Sequence, residues 1–293
     1  MNKDFSTDHR QALQQAFDAL WPGPQGDIIV LQQGHLLLHI NAQDGARITS
    51  LQAFGMEVLR QWHSERRAFQ YGCFPMVPWA GRLGNATLVF DGHAHPLPAN
   101  KSPHALHGMA CYTAWEVVER STSQVTLRMT LGHPWPWAGD VLQTIALDND
   151  AVCLRLVIRS AQGRFPASAG WHPWFNKIVG GEALQIEFSS DWQEEPGDNE
   201  LPTGRRIPPR PGPWDDAFGF HKGVDVTLRW PGRLQMHMTS PAHSLVVFDK
   251  QPDAACVNPL TQAPDGINRD PDCVTPDTPL VLETRWQFAT DPQ

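Results

Sequence analysis

From residue 25 onward the chain is a succession of short period-two or β-rich runs separated by turn residues. They lie at 28–31, 36–40, 46–54, 87–90, 115–119, 125–131 and 141–147, then at 153–160, 184–188, 224–230, 234–238, 245–248 and 280–288. Alternation of this kind puts one face of each strand inward and the other outward. Parallel strands would need crossovers of about a dozen residues or more, usually helices, and segments of helical period are absent between the runs. The 26 prolines suit turns and strand edges. The expected fold is therefore all-β, a large antiparallel β-sandwich.

Before the first strand, Ala12, Leu13, Ala16, Phe17 and Leu20 recur at helical spacing and Trp21-Pro22-Gly23-Pro24 ends the pattern. Residues 1–24 read as a short helical appendage, and 25–293 as one domain, since all-β sandwiches of this length commonly form single units. Residues 194–216 carry no strand pattern and are rich in Pro, Gly and charge, which makes them a candidate rim over a site.

The charge balance, 23 basic against 31 acidic side chains with a net charge of -8, gives no basic track for nucleic acid. No run approaches the length of a membrane span. The polar start, with Asp4, Asp8 and Arg10 instead of a basic-then-apolar leader, predicts a cytoplasmic protein. Five cysteines without a close pair predict reduced, mostly buried thiols rather than disulfides or a metal knuckle.

Three segments concentrate polar chemistry. Pro78-Trp79-Ala80-Gly81-Arg82-Leu83-Gly84-Asn85 is followed by Leu106-His107-Gly108, and Gly170-Trp171-His172-Pro173-Trp174-Phe175 comes later. A guanidinium and two imidazoles at strand ends form a candidate polar-ligand site. Trp214-Asp215-Asp216-Ala217-Phe218 adds two acids, and Cys256-Val257-Asn258-Pro259-Leu260 ends in Ala263-Pro264-Asp265. Taken singly, each has a plainer reading: a strand-end Arg in solvent, a histidine tied to the backbone, two solvated acids.

In this order and at this separation the segments resemble the aldose 1-epimerase (galactose mutarotase) superfamily, in its bacterial branch with the Pro-x-x-Gly-Arg form of the arginine motif. The resemblance runs from about Gly34 to Phe288. It implies the large β-supersandwich of the mutarotases and a small-molecule aldose as partner, with no cofactor and no metal. It also implies His172 as the general acid that protonates the ring oxygen, with Arg82, His107 and Asp215 holding sugar hydroxyls. Asp216 is the alternative to Asp215. Trp174 offers an indole face on which a sugar could stack, one of 12 Trp in the chain.

One position departs from the pattern. Where the family has a glutamate as general base, this chain has Asn258, and an amide can hydrogen-bond a hydroxyl but cannot take its proton near neutrality. A substitute base from Asp253, Asp265 or Asp216, a weakened enzyme, and a non-catalytic carbohydrate-binding or sensing protein all remain open. A cupin-like metal enzyme is a further rival, because His93, His95, His104 and His107 cluster in an all-β chain. Nothing in the sequence bears on oligomeric state.

Overall fold

In a computed structural model, residues 26–291 are described; the expected helix near the N-terminus lies outside them. Two antiparallel sheets dominate. The larger has eleven strands, running in space from Ile28–Gln33 through Leu36–Asn41, Arg47–Ala53, Cys73–Met76, Gly170–Asn176, Ala254–Leu260, Ser244–Phe248, Asp215–Gly219 and Trp192–Pro196 to Pro202–Ile207, with Met56–Glu57 beside Arg47–Ala53. The smaller has eight, centred on Gly139–Asp148, Ala151–Ser160 and Leu280–Thr290. The all-β expectation holds, and the one α-helical element among the described residues is the single turn Gly266–Arg269.

The inward faces of the two sheets make the main core. Phe175 of the larger sheet meets Trp286 of the smaller at 5.5 Å between ring centroids. Trp171 Nε1 donates to Gln143 Oε1 across the same gap, and Gln143 donates on to the carbonyl of Ala46. Buried polar groups in such a core are tolerable only when paired in this way.

The middle of the large sheet joins strands distant in sequence: Cys73–Met76, Gly170–Asn176 and Ala254–Leu260 lie side by side. All three are buried along almost their whole length. Residues 194–216 are not one long loop. They contain the hairpin Trp192–Pro196 and Pro202–Ile207 at the sheet edge and the start of Asp215–Gly219. The expected rim survives as the turn of that hairpin, residues 197–201.

Candidate active site

Alternation along the middle strands assigns their side chains to two destinations. Cys73, Trp171, Phe175 and Val257 enter the core between the sheets, whereas Phe74, Met76, Trp174, Cys256 and Leu260 form a second apolar cluster on the opposite face. This second cluster floors a cavity of about 440 Å³. Arg82, His107, His172, Asp215 and Asn258, each anticipated from sequence, line that one cavity together with Trp174.

His172 pairs in register with Phe74 on one neighbouring strand. On the other side, Gly170 pairs with Leu260 and Trp174 with Cys256, which sets His172 opposite Asn258. The imidazole is 5 % exposed. It stacks between Phe74, at 5.0 Å and 12°, and Trp174, at 5.1 Å and 30°. Each aromatic ring carries a guanidinium: Arg47 lies 4.8 Å from the Phe74 centroid and Arg60 3.7 Å from that of Trp174.

Both cations are themselves anchored. Arg47 Nε pairs with Asp44 at 3.2 Å and its Nη1 donates to the Tyr71 carbonyl. Arg60 pairs with Asp253 at 3.0 Å. Burial, then the charge of Arg60 and more weakly that of Arg47, brings His172 down to a pKa of about 3. Its imidazole is therefore neutral at physiological pH, and a neutral imidazole still polarises an oxygen through its N–H.

His107 meets His172 edge-on, with centroids 4.7 Å apart. Burial, the His172 neighbour and Arg82 hold its pKa well below the ordinary histidine value. Arg82 and His107 come together because Arg82–Leu83 pairs with Ala105–Leu106 and the chain then turns sharply. His107 and Gly108 both adopt left-handed backbone, with φ of 61° and 70°. A Cβ at position 108 would collide with the Val77 backbone, so only glycine fits there.

Asp215 and Asp216 separate cleanly. Asp215 lines the cavity, while Asp216 accepts from Gln193 Nε2 at 2.9 Å and from the Asp215 amide at 3.1 Å. Asp253 is held by Arg60 and Arg66, and Asp265 by the Gly84 amide and Asn268. Neither of these lines the cavity. The carboxylate that does, besides Asp215, is Glu200 in the turn of the edge hairpin, a residue no sequence pattern singled out. Its Oε2 lies 3.3 Å from Arg82 Nε, near enough to pair but without the alignment of a hydrogen bond.

Four residues of this cavity each carry a buried polar atom without a hydrogen-bond partner: Arg82 Nε, His107 Nδ1, His172 Nδ1 and Asn258 Oδ1. Trp79 and Trp214 contribute nothing to it. Trp79 stacks on Trp135 in the main core, and Trp214 packs against Phe188. The other histidines are dispersed: His93 and His95 sit on an outlying strand, and His104 bonds the Asn85 amide and the Asn199 carbonyl. Among the described residues no three His, Cys, Asp or Glu side chains converge as metal ligands. A larger hollow of about 1000 Å³ lies over the outward face of the small sheet. Two of its charged side chains, Arg155 and Glu283, pair with each other at 2.8 Å.

No helix among the described residues is long and apolar enough to cross a membrane. The Escherichia coli K12 protein YphB is 26% identical over 270 residues, covering 83% of this chain and 90% of its own. A galactose mutarotase-like protein from Clostridium acetobutylicum has the same fold, with a TM-score of 0.80 at 15% identity over 93% of this chain and 99% of that one. The galactose 1-epimerase of Lactobacillus acidophilus superposes with a TM-score of 0.75 at 14% identity, over 93% of this chain and 98% of its own. The profile of the aldose 1-epimerase family matches residues 27–275, and the chain belongs to that family.

Proposed function

We propose that the protein interconverts the α and β anomers of a free aldose by acid–base ring opening. The observation that carries this reading is that Arg82, His107, His172 and Asn258, each with a buried polar atom lacking a hydrogen bond, line one cavity of about 440 Å³. An unmet buried polar group costs about 1–3 kcal/mol. A polyhydroxylated ring offers donors and acceptors on every edge and would meet all four at once.

The roles follow from chemistry and position. Asp215 accepts from vicinal hydroxyls, and Arg82 and His107 hold others. His172, fixed between two aromatic rings, presents its N–H to the ring oxygen. Trp174 is 5 % exposed and covered by Arg60, so its chief service is to hold His172, with only an edge left for the sugar. Asn258 hydrogen-bonds the anomeric hydroxyl without taking its proton.

The test is the rate of α-to-β exchange of galactose and glucose, followed by polarimetry with and without the protein. Acceleration that disappears in His172→Gln supports the reading. The amide at 258 favours one second reading, a carbohydrate-binding protein without turnover. It would show a saturable sugar-dependent change in tryptophan fluorescence and no acceleration.

A further inference from the structure

The missing carboxylate at position 258 leaves the imidazole end of the cavity without a proton acceptor on its floor. Two carboxylates line the cavity, Asp215 and Glu200. Asp215 pairs with Phe248, and Phe248 with Cys256, so Asp215 stands in the row of Trp174 rather than that of His172 and Asn258. It is two strands beyond Asn258, roughly 10 Å across the sheet at ordinary strand spacing, and also displaced along it. Asp215 thus serves the far end of a bound ring.

Glu200 approaches from above. It stands in left-handed backbone, φ 61°, in the turn between Trp192–Pro196 and Pro202–Ile207. That turn is pinned to the site's own framework. The Asn199 carbonyl bonds His104 Nε2 at 2.8 Å, and a methyl built on Gly84 would come within 3.1 Å of the Leu201 side chain. The carboxylate is thereby held 3.3 Å from Arg82, whose charge acts on His107, itself in contact with His172. Glu200 thus lines the same cavity as His107, His172 and Asn258, on the side of Arg82.

We propose that Glu200 is the general base of this chain, supplied by the edge hairpin in place of a carboxylate on the floor. The inference rests on the mutarotase reading above. In the step it performs, the anomeric O–H proton passes to a Glu200 carboxylate oxygen and the C1–O1 bond becomes a carbonyl. The C1–O5 bond breaks with its electron pair going to O5, which the neutral His172 polarises through its N–H while a solvent proton completes the hydroxyl. After rotation about C1–C2 the same transfers run backwards on the other face, so Glu200 and His172 end as they began. Arg82 keeps the carboxylate in place and turns to the sugar hydroxyls when a ring enters.

The experiment compares anomer exchange of α-D-galactose and α-D-glucose by the full chain, Glu200→Gln, and Glu200→Gln combined with Asn258→Glu. Loss of a positioned base lowers kcat by about 10²–10⁴-fold. Glu200→Gln is expected to show that loss with KM within about threefold of native. The added Asn258→Glu is expected to return at least tenfold, a rescue that a merely structural Glu200 would not permit. A native chain that is active and a Glu200→Gln variant equally active overturns the assignment and leaves the mutarotase reading standing. A loss confined to KM, or no rescue, also overturns it. A native chain that accelerates neither sugar overturns both.

Discussion

His172 and Asn258 face each other across two neighbouring strands at the centre of the large sheet, between the pairs Gly170–Leu260 and Trp174–Cys256. A carboxylate at such a place would support the charged form of the imidazole. Here it meets an amide, with a guanidinium beyond each of the two flanking rings.

Asn258→Glu is expected to raise the titration of His172 above its value of about 3, because a carboxylate opposite the ring favours the imidazolium. Histidine ring resonances followed against pH by NMR would report it. A titration left in place would show that the side chain at 258 does not face the ring.

Asn258→Ala removes one neutral hydrogen bond to the sugar, worth about 1 kcal/mol. KM should rise about fivefold while kcat holds, since an amide moves no proton. A fall in kcat of a hundredfold would contradict the division between binding amide and remote base.

Acid should destabilise the fold through His172. Its folded pKa of about 3 lies below the unfolded value near 6.5, so between these pH values the unfolded chain binds the extra proton and stability falls with falling pH. From pH 7 to pH 5 the cost is about 2 kcal/mol. Urea unfolding at the two pH values should show this dependence in the native chain and its reduction in His172→Gln.

Arg60→Met should move the His172 titration upward, because the guanidinium over Trp174 is, after burial, the main influence holding it down. Asp253 keeps Arg66 as a partner, so the substitution does not strand its charge.

Gly108→Ala should cost more than about 1–2 kcal/mol, the price of left-handed backbone alone, because the new methyl also strikes the Val77 backbone. Thermal unfolding measures it. The neighbouring His107 would shift with the turn, so activity should fall as well.

The outer strands were legible because one face is wet. Leu234–Ser240 is buried at every second residue, as its sequence pattern predicts. The strands that carry the site, Cys73–Met76, Gly170–Asn176 and Ala254–Leu260, are buried on both faces and show no alternation, so periodicity passes over them. Their polar residues stood out as strand-end chemistry, and the ordered motifs of a family gave them roles. Glu200 escaped both routes: it lies in a turn, where an acid is commonplace, and its meaning comes from the pairing of the hairpin that presents it. Asp253 and Asp265 were plausible bases on composition, and the partners that occupy them are contributed by distant segments.

The floor strands share their residues between core and cavity, so any change there is also a change to the fold. The edge hairpin pairs with the sheet only through Trp192 and Gln193, opposite Gly219 and Phe218. Residues 194–206 can therefore be recharged at less cost to the fold than the floor strands, within the bonds that hold the turn at Asn199 and Glu200. Within this architecture, changes of substrate should be recorded at the rim, while the floor drifts slowly and keeps the shape of the ring.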